Sequence, residues 1–184
     1  MLHSGLKTAL VFSLLSLTAC AQKPQLKQVQ QEIRTLNNNI STLSQQAVLL
    51  ARQNALNSNS QRGAYLLPDA DGEARLYSQS GLLAFSLPEV KADGNATQIT
   101  LIVKPIQPSR HVDFSAAIAW GEKADQPENE RGQMAFSVAQ SAMEQGAVTL
   151  HLRLADITPA QLGFIRIHDI QPLEPSPSQP ATPP

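Results

Sequence analysis

Three histidines, His111, His151 and His168, and an acid-rich stretch, Glu122 to Gly132, are the residue types in this 184-residue chain that most invite a chemical reading. A fourth histidine, His3, lies in an N-terminal segment expected to be removed. No Gly-rich phosphate loop, His-Glu-x-x-His or Gly-x-Ser-x-Gly accompanies them, so no local motif supports hydrolysis or phosphoryl transfer and no catalytic residue is assigned. The acids Glu122, Asp125, Glu128 and Glu130 are not at EF-hand spacing, and Lys123 and Arg131 offset their charge, so the stretch reads as a solvated hairpin loop and no metal site is expected. The single cysteine rules out an internal disulfide and any four-cysteine cluster. A net charge of −1 lacks the excess of Lys and Arg that phosphate neutralisation needs, so nucleic acid is not an expected partner. No cofactor is implied.

The chemistry that the sequence does support is at Cys20. One cation, Lys7, precedes the apolar run Thr8 to Leu17, which is too short for a permanent membrane span and is followed by small residues. Leu17-Thr18-Ala19-Cys20 resembles the bacterial lipoprotein box. That resemblance implies removal of residues 1–19, a diacylglyceryl thioether on Cys20 and acylation, such as by palmitate, of its new amine. One acyl chain binds a membrane reversibly, whereas several on one residue hold it permanently. Ala21 and Gln22 follow with no Asp behind the modified cysteine, which by the same resemblance implies the outer membrane, facing the periplasm. Loss of Lys7 leaves 13 basic against 15 acidic side chains, a net −2, so no polybasic patch assists the lipid.

From Leu26 the apolar residues recur at spacings of three and four. Leu26, Ile33, Ile40, Ala47 and Asn54 take the a positions of a heptad, and Val29, Leu36, Leu43 and Leu50 the d positions. Ile at a with Leu at d favours a parallel dimer, and the e and g sites are almost uncharged. Asn37-Asn38-Asn39 and Ser41-Thr42 are weak helix formers, so the seam needs an apolar cover. A second copy, the chain's own globular part and a helix of another protein are three such covers. The spacing predicts a coiled-coil-like helix over 26–56, able to reach about 45 Å at 1.5 Å per residue. A polar linker over 57–62 follows the lipidated segment (20–25) and this helix.

Residues 63–172 change period. Val112, Phe114, Ala116, Ile118 and Trp120 alternate with Asp113, Ser115, Ala117 and Ala119, the pattern of a half-buried strand. The pattern recurs around Leu83, Ile99, Met134 and Val148, with shorter candidates at 65–67, 75–77 and 164–170. Turn chemistry separates them, and the single helical turn expected is at Thr158-Pro159. Seven or eight antiparallel strands without βαβ alternation predict a mainly β fold, an immunoglobulin-like sandwich, with a small β-barrel as the alternative. Residues 173–184 are a Pro-rich tail of extended character.

Two of these strands carry basic residues opposite their apolar sets: His151 and Arg153 on one, Arg166 and His168 on the other. If the two strands pair, the four share one outer face, either solvated or suited to an anionic partner such as peptidoglycan carboxylates or an acidic envelope protein. A glycan- or peptide-binding sandwich is the alternative to a structural or protein-interaction module.

Gln53-Asn54-Ala55-Leu56-Asn57-Ser58-Asn59-Ser60, Ala64-Tyr65-Leu66-Leu67-Pro68 and Gln161-Leu162-Gly163-Phe164-Ile165-Arg166-Ile167-His168-Asp169-Ile170-Gln171-Pro172 resemble the YajI-like enterobacterial lipoproteins, a family built on a domain of unknown function. The resemblance runs from the lipoprotein box to about residue 172. It implies the anchor and brings no functional residues with it.

Overall fold

Between Pro24 and Gly63 the sequence holds neither glycine nor proline, and in the computed structural model this stretch is dominated by one helix, α1 (Gln22–Ser58). The structure describes residues 22–58, 60–106, 113–124 and 126–173. Cys20, His111, Asp125, the segment 1–19 and the tail from 174 lie outside the described residues. Pro24 sits in the first turn, where a missing N–H interrupts no ladder. Thr35 and Thr42, poor helix formers, donate their hydroxyls to the carbonyls of Gln31 and Asn38, each at 3.0 Å. The chain divides into two compact units, residues 1–45 and 46–184, so the last turns of α1 belong with the β domain.

Eight strands follow: β1 (Ala64–Leu66), β2 (Ala74–Ser78), β3 (Gly81–Asp93), β4 (Ala96–Pro105), β5 (Phe114–Gly121), β6 (Glu130–Val138), β7 (Val148–Leu154) and β8 (Phe164–Pro172). They form two four-stranded antiparallel sheets, in the orders β1-β8-β5-β6 and β2-β3-β4-β7. The architecture is the two-sheet sandwich that the alternation predicts, and neither sheet closes into a barrel.

Local chemistry fixes the corners. Gly94, with φ of +62°, opens the two-residue turn between Asp93 and Ala96, a position that needs positive φ in a type II′ hairpin. Pro88 cannot donate to a ladder, and β3 accommodates it in a bulge where the register slips between Ser86 and Glu89. The turn at Thr158 forms as expected: Gln161 Oε1 accepts from the Thr158 N–H at 3.1 Å and from its hydroxyl at 2.8 Å. One short helix, α2 (Gln140–Met143), escapes the sequence reading because four residues are too few to show a period. Asp113 Oδ1 accepts the Gln140 N–H at 2.7 Å, and Met143 is buried in the core.

Between the sheets, Phe85, Ile99 and Leu101 of one meet Phe114, Ile118, Ile165 and Ile167 of the other, all fully buried. A smaller cluster lies apart: Tyr65, Leu67, Ala70 and Phe164, packed by Leu49 and Leu56 of α1. Burial at about 25 cal/mol per Å² of apolar area makes both clusters the main stabilising features.

Gly63 marks where the chain enters β1. Its φ is +133°, and a Cβ there would stand 2.1 Å from the Ile167 carbonyl oxygen, which belongs to the backbone and has little room to move. Gly63→Ala is expected to destabilise the domain by about 2 kcal/mol or more, read as a lower denaturant midpoint with an unchanged slope.

Candidate functional site

The heptad face of α1 is uncovered along most of its length. Leu26, Val29, Ile33, Leu36, Ile40 and Leu43 are between 49% and 64% exposed, although they align on one side of the helix. Leu50, the last residue of the expected seam, is half-buried, and its Cδ1 lies so near Gly72 that a Cβ there would be 2.3 Å away. From Gln46 onward the less exposed positions are Gln46, Leu49, Leu50, Gln53, Leu56 and Asn57. That face is continuous at 3–4 spacing but falls one residue earlier than the heptad would set it (46, 49, 53 against 47, 50, 54). One helix therefore presents two adjacent stripes in succession, an exposed one to Leu43 and one packed on the β domain from Gln46.

Polar side chains fasten the second stripe to β1. Asn57 Oδ1 accepts the Tyr65 N–H at 2.7 Å, and Asn57 Nδ2 donates to the Tyr65 carbonyl at 2.8 Å. Gln53, only 1% exposed, accepts the Leu67 N–H at 2.8 Å through Oε1. Four residues of helix rise about 6.0 Å and two of strand about 6.6 Å, so amides at i and i+4 match strand residues at j and j−2. The linker expected at 57–62 thus begins with a helical residue that bonds to the sheet.

The structure does not bring the four basic residues together. β7 pairs with β4, whereas β8 lies between β1 and β5, so His151 and Arg153 are on one sheet and Arg166 and His168 on the other. The expected β7–β8 pairing does not form, because β7 closes the edge of one sheet and β8 lies inside the other. Charge is answered locally as well. Arg153 Nε donates to Asp93 Oδ2 at 2.6 Å, and His151 Nδ1 lies 3.3 Å from the Thr100 hydroxyl.

Arg166, with a side chain 12% exposed, donates from Nε to Glu130 Oε1 at 2.8 Å and from Nη1 to the Arg62 carbonyl at 2.7 Å, and its Nη2 also meets Glu130. Glu130, read from sequence as a solvated loop acid, is the partner of a nearly buried arginine. His168 is 9% exposed, with Nδ1 2.9 Å from Asp169 Oδ2 and Nε2 buried without a hydrogen-bond partner. An enclosed Nε2 cannot reach a substrate, so the His168–Asp169 pair is no catalytic relay.

Among the described residues, Tyr65 and Glu89 are shifted from their ordinary values. Burial pushes the Tyr65 phenol up from about 10, against the lowering effect of Arg166 and Arg62. Its hydrogen bond to Lys91 holds the Glu89 carboxyl below its usual range, on an exposed face. Because Tyr65 holds its proton more tightly folded than unfolded, its contribution is intact below pH of about 10 and is lost as pH rises past that value. Tyr65→Phe is expected to remove part of the fall in melting temperature above that pH, measured against the parent in the same buffers.

Beside Tyr65 lies a hollow of about 480 Å³, bordered by Leu56, Arg62 and Glu128. A second, of about 540 Å³, runs over Leu49, Leu67, Ala124 and Leu162. No histidine lines either, so neither holds a Ser–His–acid arrangement. Among the described residues no group of three His, Cys, Asp or Glu could bind a metal ion, and no helix is long and apolar enough to cross a membrane.

Two antiparallel four-stranded sheets, with the last turns of a helix fastened to one edge strand, define a β-sandwich domain. The chain belongs to the DUF3251 family, described as a protein of unknown function, which matches residues 20–179. It is 37% identical over 169 residues to the uncharacterized lipoprotein YajI of Escherichia coli strain K12, covering 89% of this chain and 94% of that one. The solution NMR structure of the E. coli lipoprotein superposes with a TM-score of 0.63 at 33% identity, over 74% of this chain and 84% of that one. The Salmonella enterica trimeric lipoprotein SadB aligns over 90% of this chain and 86% of its own with a TM-score of 0.44 and 14% identity, a likeness too low to transfer its fold or assembly.

Proposed function

We propose that this chain is a non-enzymatic, lipid-anchored component of the cell envelope. Cys20 carries the acyl groups, the body faces the periplasm from the outer membrane, and the exposed stripe of α1 pairs with a second copy of the chain. The observation that carries the reading is the row of six large apolar side chains at heptad spacing, each about half or more exposed. A soluble protein rarely leaves such a contiguous patch open unless something covers it.

A second copy is the occupant that the residues favour. The stripe is self-complementary, with Ile33 and Ile40 at a and Leu36 and Leu43 at d, and Glu32, the charged residue on its flanks, stands at a g position that faces the neutral Asn37 at e of an identical parallel helix. Anchoring raises the effective concentration of copies by confining them to one surface, and a parallel arrangement follows when both start from the same membrane. The anchor itself is supported by Leu17-Thr18-Ala19-Cys20 and by a relative named as a lipoprotein.

Cys20→Ser is expected to move the protein from the membrane pellet to the soluble fraction, because the acyl chains are its strong apolar anchor. A variant that stays in the pellet through a carbonate wash contradicts the anchor.

A further inference from the structure

Two turns border the hollow of about 480 Å³ beside Tyr65, and hydrogen bonds hold each of them. One carries Arg62: the Ser60 hydroxyl accepts the Arg62 N–H at 3.3 Å and donates to the Gly63 carbonyl at 2.6 Å, while Arg166 Nη1 donates to the Arg62 carbonyl at 2.7 Å. The other carries Pro127 and Glu128 between Gln126 and Asn129. There the Asn129 N–H donates to the Gln126 carbonyl at 3.0 Å and Asn129 Nδ2 to Gln126 Oε1 at 3.0 Å. Leu56 of α1 adds an apolar wall. Backbone fixed in this way sets a binding group in place before a ligand arrives.

Charge and hydrogen-bonding capacity are left over in this hollow. Tyr65 is 4% exposed, yet among the described residues its hydroxyl makes no hydrogen bond, whereas a buried phenol ordinarily finds a partner. The hydroxyl feels the charges of Arg166, Arg62, Glu130 and Glu128. Arg166 and Glu130 pair with each other. Arg62 and Glu128 make no ion pair among the described residues. One cation, one anion and one phenol therefore border a single space with an apolar wall, of a size common for small-molecule sites.

We propose that this hollow binds a zwitterion of amino-acid or dipeptide size, with the carboxylate on the Arg62 guanidinium and the Tyr65 hydroxyl, the ammonium on Glu128, and an apolar side chain against Leu56 and Pro127. A planar carboxylate accepts two parallel bonds from a guanidinium and keeps a lone pair for the phenol. An anion alone would meet the like charge of Glu128, and a cation alone that of Arg62. The site goes beyond the pairing of the α1 stripe and uses none of its residues.

The test titrates leucyl-leucine into the full chain in an uncharged detergent, read by calorimetry and by the chemical shifts of the Tyr65 ring. Binding should saturate, and the amidated dipeptide, without the carboxylate, and the N-acetylated one, without the ammonium, should each bind about tenfold or more weakly. Arg62→Gln should weaken leucyl-leucine by a similar factor and leave the amidated form as it was, whereas Glu128→Gln should weaken leucyl-leucine and leave the acetylated form as it was. Tyr65→Phe keeps the buried ring and should weaken both ligands that carry a carboxylate. No saturation by about 10 mM leucyl-leucine, equal affinity for the three forms, or variants that weaken all three alike would overturn the assignment. Tighter binding of phosphoethanolamine than of leucyl-leucine would overturn it in favour of a lipid headgroup.

Discussion

Phe164→Ala should lower the unfolding free energy by about 3–5 kcal/mol, a large part of the 5–15 kcal/mol typical of a domain. The ring is fully buried at the centre of the smaller cluster, with its centroid 6.0 Å from that of Tyr65 at a 55° tilt. Leu49 and Leu56 of α1 pack on the same cluster, so the cavity opens beneath the fastened end of the helix. Amide protection over residues 49–57 should therefore fall in this variant beyond the global loss. Phe114→Ala, equally buried but between the sheets, should cost a similar amount without that local loss. Chemical denaturation gives the first comparison and hydrogen exchange the second. Equal protection at 49–57 in the two variants would contradict the role assigned to the cluster.

Ile33→Asn with Leu43→Asn should weaken self-association by about a thousandfold or more. The two changes take four large apolar side chains out of the core of a dimer, each worth on the order of 1.5–3 kcal/mol when fully buried, and about 4 kcal/mol is a factor of a thousand. In an isolated chain the same residues are 52% and 64% exposed, so the melting temperature of the sandwich should not move. The two readouts separate the possible covers of the stripe. A lower melting temperature without a change in assembly would mean that the stripe packs on its own domain, and no change in either would leave a copy of the chain without a role there.

The alternation of β4, β5 and β7 is legible in the sequence because each has one face against the core, so the period of two shows directly. β8 is harder. Phe164, Arg166 and His168 occupy the side opposite Ile165 and Ile167 and look solvent-facing, yet they are buried or nearly so: the smaller cluster covers Phe164, and Glu130 and the Arg62 carbonyl engage Arg166. Such cover comes from segments 36 to 115 positions away, which no local pattern reports. Strand order is similarly hidden. Placing β7 beside β4 and β8 between β1 and β5 decides whether four basic residues meet, and consecutive position in the chain suggested a pairing that the sheets do not make.

At the end of α1 one pattern of residues fits two local structures. Gln53 and Asn57 stand four apart, two strand residues of matching spacing follow, and amides at that interval can bond an edge strand. Composition alone makes Asn57-Ser58-Asn59-Ser60 look like a polar linker, because the same residue types serve in both roles. The heptad itself was legible, but where it stops was not. The shift of one residue near Gln46 leaves every spacing at three or four and changes only the side of the helix that is covered.

The most direct test of the pairing of two copies is disulfide formation in intact envelopes between single cysteines placed along the stripe. Leu36→Cys puts a thiol at a d position, where two parallel, in-register helices bring like residues together across the seam. Asn38→Cys, at an f position, puts it on the outer side of the same turn. Mild oxidation should yield a covalent dimer from the Leu36 variant and little or none from the Asn38 variant. Equal yields from the two, or no dimer from either, would contradict the account.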